Sequence, residues 1–340
     1  SIFVKRIEGE LAVILLYVDD LLIFGTCQNL LLELKKQLCA EFKMNDMEGN
    51  EFVGLQIQRE ENGSITIHQK KFIQELIGKT NFERTNCCST PLEPNTQLPE
   101  EDLAPSREDQ EFMEDKPYSS VVGSLNYLAH ATRPDIAFAT HQLSRHLNSA
   151  RKKHWLALER VLSYLAKTAD LAITYQVSSS TPGKPIGYSD ANWGGEREDP
   201  HSISAFVFLL NDGILSWSCK TQSTIARSTC EAEYVALDHC NRNAIWLKSL
   251  TEEMGFPSQA LQIFGDNLSS LMLAKNPEFH QKTKHINIKY HAIRESITAG
   301  QIELQHVGTE FMCADPLTKA LYRPAFLKFI KAWGISALRG

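Results

Sequence analysis

Apolar positions gather first in a run from Leu11 to Phe24, where two hydrophobic arms flank the adjacent carboxylates Asp19 and Asp20. The β-branched and aromatic content predicts two strands joined by a tight turn carrying Val18-Asp19-Asp20. Asp is a common turn residue, so a surface turn is one reading of the pair. The other is a ligand pair for a divalent metal. The run is too short to cross a bilayer, and two acids at its centre exclude that further. Downstream, Leu31, Leu34 and Leu38 recur at helical spacing within 28–42. Residues 52–58 and 64–68 alternate like strands around the turn signal Glu60-Glu61-Asn62-Gly63, and a short helix is predicted over 70–77.

From Tyr118 to Tyr175 the pattern is helical, broken and restarted at Thr132-Arg133-Pro134-Asp135-Ile136, with Pro134 suited to a first helical turn. Beyond Ser178-Ser179-Ser180-Thr181-Pro182-Gly183 the order of elements changes. Strands are predicted over 186–190, 204–210 and 214–219, the last two as a hairpin around Asn211-Asp212-Gly213. A long helix runs from Ser228 or Thr229 to Met254, with Gly255 as its stop. A strand over 261–265, helices over 268–275 and 285–299, a strand over 301–307 and a helical region after Glu310 follow. The order β-β-β-α-β-α-α-β-α predicts a mixed sheet whose later strands run parallel to the first.

Composition narrows the class. The 340 residues have room for two or three domains, and 43% apolar with 22% charged content is that of a soluble globular protein. No membrane span or signal peptide is present, and a start inside a strand without Met suggests a fragment of something longer. Eight scattered cysteines include no Cys-x-x-Cys pair, which argues against zinc and for a reduced, intracellular setting, cytoplasm or nucleus. The net charge of −6 is local: nine acids against two cations lie between Glu93 and Lys116, and the rest of the chain is close to neutral. With Pro91, Pro94, Pro99 and Pro105, that stretch reads as a solvated linker. The expected organisation is therefore 1–82, an acidic linker over 83–117, a helical unit over 118–177, and a mixed α/β domain over 183–335.

In that last domain Asp190 and Asp266 each sit at the C-terminal end of a predicted strand. Either alone reads as a helix N-cap, but parallel neighbouring strands would bring both to one edge, where open α/β sheets bind ligands. On the long helix the repeat separates two acids. At about 100° per residue, Leu237, Cys240, Ala244 and Leu247 lie within roughly 40° of Glu233, on the face that packs on the sheet. Glu231 points about 160° away, in line with Asp238 and Arg242. A carboxylate on the buried face needs compensation, and a metal supplies it. Asp315, before Pro316, reads first as a helix start. Four converging carboxylates would repel and raise one another's pKa values, and two Mg²⁺ ions relieve that. Candidate phosphate contacts are Arg151, Lys152 and Lys153 beside Trp155, and Lys282, Lys284, His285, Lys289, His291 and Arg294. Solvated helix faces are the plain alternative for both groups.

These pieces resemble a known family. The C-terminal half is similar to the ribonuclease H domain of copia-type retrotransposon polyproteins through Tyr188-Ser-Asp-Ala-Asn-Trp193, Ser228-Thr-Cys-Glu-Ala-Glu-Tyr-Val-Ala-Leu237, Asp266-Asn267, Thr283-Lys-His-Ile286 to Glu295, and Ala314-Asp315-Pro-Leu-Thr-Lys319. The N-terminal part resembles the end of the same family's reverse transcriptase through Tyr17-Val18-Asp19-Asp20, Phe52-Val-Gly-Leu55, Gly123-Ser-Leu-Asn-Tyr127, Thr132-Arg-Pro-Asp-Ile136 and Leu143-Ser144-Arg145. The resemblance implies an α+β protein: part of a palm, a helical thumb or connection, and a ribonuclease H-like five-stranded mixed sheet with flanking helices. It makes Asp190, Glu233, Asp266 and Asp315 the four acids that hold two Mg²⁺ or Mn²⁺ ions and cleave the RNA strand of RNA–DNA hybrids. Asp19 and Asp20 become two of three palm metal ligands; the third normally lies upstream, so polymerase activity is not expected of this chain. The implied partners are the hybrid and the remainder of the Pol polyprotein. Many relatives of the fold carry a mobile His before the last Asp; His306 reads as the end of a strand and is not assigned that role. The competing expectations are a catalytically inactive remnant or co-opted nucleic-acid-binding module, and template-directed synthesis in the full-length parent.

Overall fold

The computed structural model describes residues 1–47, 49–80, 88–96, 98, 105–177, 183–194, 200–256, 259–275 and 287–338, with main chain alone over 287–291. Its first apolar run folds as a hairpin. Strands β1 (Ile2–Ile7), β2 (Glu10–Tyr17) and β3 (Asp20–Gly25) form an antiparallel sheet in that order, with Tyr17 opposite Asp20 across the turn. The sheet buries little: Ala12 and Val13 reach the interior near Leu34 of helix α1 (Gln28–Glu41), while all of β1 is exposed. Arg6 ties β1 to the rest of the chain by donating to the Met254 carbonyl at 2.8 Å and lying over the Phe256 ring.

A second sheet joins distant segments in the order β13 (Ile335–Ala337), β7 (Leu171–Tyr175), β6 (Ile65–His68), β5 (Leu55–Arg59), β4 (Glu51–Phe52). Ile173 sits between Ile67 and Ile335. Residues 171–175 were expected within a helical stretch and 335–337 within a terminal helical region; both are strands. Their edges are satisfied only by partners far away in the chain, such as Thr66 and Thr174, 108 positions apart, which no local pattern can announce. Around this sheet lie α2 (Lys70–Lys79), α4 (Tyr118–Ala131), α5 (Ala137–Ser144), α6 (Lys152–Lys167) and α10 (Arg323–Ala332). Pro134 does open a 3-10 turn between α4 and α5. There the fully buried Arg133 grips Asp135 with two nitrogens at 2.9 and 2.7 Å, so neither charge is left unpaired.

The acidic stretch expected to be a solvated linker carries a helix of its own, α3 (Arg107–Met113). Ser106 caps it by accepting from the Asp109 N–H at 3.1 Å. Its apolar side supplies Phe112, over which the Lys116 and Lys152 ammonium groups both lie at 5.3 Å. Packing on α6, not composition, decides its structure.

The third sheet is the predicted mixed one, in the order β10 (Gly213–Thr221), β9 (Ile203–Leu210), β8 (Ile186–Asn192), β11 (Leu261–Gly265), β12 (Ile302–His306). β8, β9 and β10 pair antiparallel, and β11 runs parallel to both β8 and β12. The apolar run of β9 is explained by cover on both faces. Phe206 and Phe208 pack with Tyr234, Leu237 and Cys240 of helix α7 (Thr229–Glu253), in a core completed by α8 (Leu268–Lys275) and α9 (Asn287–Thr298). Ala205 and Val207 face the other core, shared with α4, α5 and α6. Trp217 Nε1 donates to the Ala129 carbonyl at 2.7 Å, fastening the helical layer to this sheet. Gly255 ends α7 with φ 79°, the left-handed conformation the sequence required of it. No helix among the described residues is long and apolar enough to cross a membrane.

Candidate metal centre

Two strands and one helix aim their acids at one point. In the β8–β11 ladder Tyr188 pairs with Phe264, so the residues two further on, Asp190 and Asp266, leave the sheet side by side at its C-terminal edge. Glu233 joins them from the first turns of α7, on the face that buries Leu237, Cys240, Ala244 and Leu247. One carboxylate oxygen from each of Asp190, Glu233 and Asp266 lies within 4.8 Å of the others. This is the one such group of three or more acid, His or Cys side chains among the described residues.

Asp315 opens a 3-10 turn, Asp315–Leu317, close enough for its charge to act on Asp190, and its Oδ1 lies 2.9 Å from Lys319 Nζ. Asp190, Glu233 and Asp315 are 4%, 8% and 5% exposed. Burial, then the charges of Asp315 and Asp266, push the Asp190 carboxyl up to about 7, against the pull of Thr318 and Lys319. Burial, then Asp190 and Asp266, push Glu233 up to about 10, against the pull of the Ala191 main chain. Burial also raises Asp315, against its contact with Lys319. Water has been removed from like charges without an equal number of cations to replace it.

Three groups contact these acids, two of them threonines that the sequence did not single out. Thr318 Oγ1 donates to Asp190 Oδ2 at 2.5 Å, and Thr309 Oγ1 donates to Asp266 Oδ2 at 2.8 Å. His306, at the end of β12, brings its Nε2 to 3.1 Å from the Asp266 main-chain oxygen. The pairing of β11 with β12 could have placed His306 there; the threonine contacts depend on turns that carry no periodic signal.

Glu231 has a different task. Its carboxylate accepts from the Arg227 N–H at 2.9 Å while its own N–H donates to Ser228 Oγ, a reciprocal helix cap. Asp238, in line with Glu231 on the sequence wheel, is buried and pairs with Arg242 at 3.4 Å, because α7 is covered on more than its sheet-facing side.

The remaining candidates stand apart. Asp19 and Asp20 are exposed at the tip of the β2–β3 turn, beside Tyr17 and Val18 at 57% and 78% exposure. Lys282, Lys284 and His285 lie outside the described residues, and Lys289 is described only in its main chain, on α9. Arg294 turns inward, donating to the Leu273 carbonyl at 3.0 Å. At the start of α6, Lys152 and Lys153 are exposed and Arg151 half-buried. The Lys152 N–H donates to Asp109 Oδ1 at 3.1 Å, so the acidic helix α3 reaches this basic corner.

A reverse transcriptase (RNA-dependent DNA polymerase) family profile matches residues 1–94. The chain is 34% identical over 330 residues to the retrovirus-related Pol polyprotein from transposon TNT 1-94 of Nicotiana tabacum, covering 96% of this chain and 24% of that protein. It is 32% identical over 224 residues to a putative transposon Ty5-1 protein of Saccharomyces cerevisiae, covering 65% of this chain and 70% of that protein. Among solved structures, RNase H1 from the halophilic archaeon Halobacterium salinarum NRC-1 aligns with 20% identity and a TM-score of 0.28, covering 40% of this chain and 94% of that one. The profile and the sequence relatives define a retrotransposon protein of the reverse transcriptase class. Within that class, the chain belongs to one family with the putative transposon Ty5-1 protein and is similar over nearly its whole length to the Pol polyproteins of plant transposons. It spans about a quarter of the length of the plant Pol polyproteins it matches.

Proposed function

We propose that residues 183–335 form a ribonuclease that hydrolyses the RNA strand of RNA–DNA hybrids. In this reading Asp190, Glu233, Asp266 and Asp315 hold two divalent cations, Mg²⁺ or Mn²⁺. The observation that carries it is the approach of three carboxylates to within 4.8 Å at the sheet edge, two of them buried and forced away from their charged state. All the donors are hard oxygens, the set that suits Mg²⁺ and Mn²⁺, and the neighbouring repulsion disappears when such an ion is bound. Held by these acids, a cation pair would supply activation of water and stabilisation of the leaving oxygen of a phosphodiester.

The chain's own groups fix the geometry for that task. Thr318 engages one oxygen of Asp190 and Thr309 one oxygen of Asp266. We assign residues 1–82 to part of a palm and 118–177 to a thumb or connection. Asp19 and Asp20 stand outside the chemistry, since no third ligand gathers with them among the described residues. Lys152 and Lys153 are the better-supported hybrid contacts, being exposed, whereas Arg294 braces α9 against α8. None of the seven described cysteines forms a disulfide, which suits the reducing interior of a cell, cytoplasm or nucleus.

The test is incubation of the full chain with end-labelled RNA–DNA hybrid and Mg²⁺ or Mn²⁺. Cleavage of the RNA strand that disappears in Asp266→Asn is expected. Binding without turnover in both forms would instead favour a non-catalytic nucleic-acid-binding module.

A further inference from the structure

Asp315 is the member of the acid cluster that does not join the other three. Asp190, Glu233 and Asp266 can each offer an oxygen within 4.8 Å of the others, and Asp315 is absent from that group although it neighbours Asp190. Its Oδ1 is engaged by Lys319 Nζ at 2.9 Å. The local fold imposes this contact. Asp315 starts a 3-10 turn, and its main-chain oxygen accepts from the N–H groups of Thr318 at 3.1 Å and Lys319 at 3.2 Å, which brings positions i and i+4 to one side. The partners are unequally placed, with the Asp315 side chain 8% exposed and that of Lys319 41% exposed. The carboxylate is fixed, while the ammonium sits on a flexible stem with an open route to water.

We propose that Lys319 is a tethered counter-cation that withholds Asp315 from divalent metal until a metal ion displaces it. The proposal rests on reading the acid cluster as a metal site. A first divalent cation takes the three gathered acids with no rearrangement. A second one must draw in Asp315, and it competes with an ammonium already in place. The two occupancies are therefore unequal, and Lys319 sets the weaker one.

Isothermal titration of the full chain with Mn²⁺ alone tests this without any substrate. The wild type should show two unequal binding events. Lys319→Met should tighten the weaker event by about tenfold, the effect expected from removing one charge-assisted contact, and move the tighter event less than about twofold. Lys319→Gln should act like Lys319→Met, and Lys319→Arg should keep the wild-type pattern. In an Asp315→Asn background Lys319→Met should do nothing. Equal tightening of both events, no change in either neutral variant, a single event in the wild type, or an effect that persists in Asp315→Asn would overturn the role of Lys319 while leaving the metal site intact. Absence of any Mn²⁺ binding would overturn the metal site itself.

Discussion

The opening hairpin and the sheet edge around Asp190 both carry adjacent acids, and they treat them in opposite ways. Asp19 and Asp20 project from a thin sheet into water, and among the described residues no third ligand gathers with them. Asp190 and Glu233 sit on a strand and a helix whose other residues fill two apolar cores, so the same functional groups are drained of solvent and driven against one another. The difference lies in the elements beneath the acids. A hairpin tip can present carboxylates but cannot crowd them, whereas a parallel ladder and a packed helix can hold three within 4.8 Å against their repulsion. A site that is costly without its cation is one in which cation binding has the most to gain.

The sharpest way to break this contrast is kinetic. Asp190→Asn or Glu233→Gln should lower hybrid cleavage by at least about a hundredfold, measured as initial rates on end-labelled hybrid. The paired change Asp19→Asn with Asp20→Asn should leave the rate within about twofold of wild type.

Stability should move the other way. A carboxyl whose pKa is raised on folding binds more protons folded than unfolded, so its contribution is present below the ordinary carboxylate range and is lost as pH rises through the folded value. For Asp190 that loss extends to about pH 7 and for Glu233 to about pH 10. In EDTA the urea midpoint should therefore fall between pH 7 and 9, and Glu233→Gln should flatten the fall. At pH 8 Asp190→Asn should be about 1–3 kcal/mol more stable than wild type without metal, while the hairpin variant stays within about 0.5 kcal/mol.

The smallest effect separates the two glutamates of α7. Glu231→Ala removes one half of a helix cap and should cost about 0.5–1 kcal/mol in urea unfolding, with cleavage unchanged. A loss of cleavage comparable to that of Glu233→Gln would put Glu231 in the site after all.

Much of this contrast was legible in residue order. The strands and helices of 183–307 follow from periodicity and turn chemistry, and matching Asp190 with Asp266 needed only the inference that their strands are parallel neighbours. Helical phase chose Glu233 over Glu231. What escaped was whatever depends on partners far along the chain or on irregular turns. β7 is a short strand held between β6, more than a hundred residues earlier, and β13, more than a hundred residues later. α3 is helical because Phe112 finds α6, although its composition is that of a linker. Asp238 is buried because α7 is covered on more than one side, and Lys319 reaches Asp315 only through a 3-10 turn at a proline. Local pattern reports burial toward one neighbour well; it is silent about the second and third.

Thermal unfolding with and without Mn²⁺ tests most directly whether divalent metal belongs to the buried cluster and not to the hairpin. At about a hundredfold excess over Kd, Mn²⁺ should raise the Tm of wild type and of the Asp19→Asn, Asp20→Asn variant alike by roughly 5 °C, and leave an Asp190→Asn, Asp266→Asn variant unmoved. A shift that vanishes with the hairpin acids and survives loss of Asp190 and Asp266 would contradict the account.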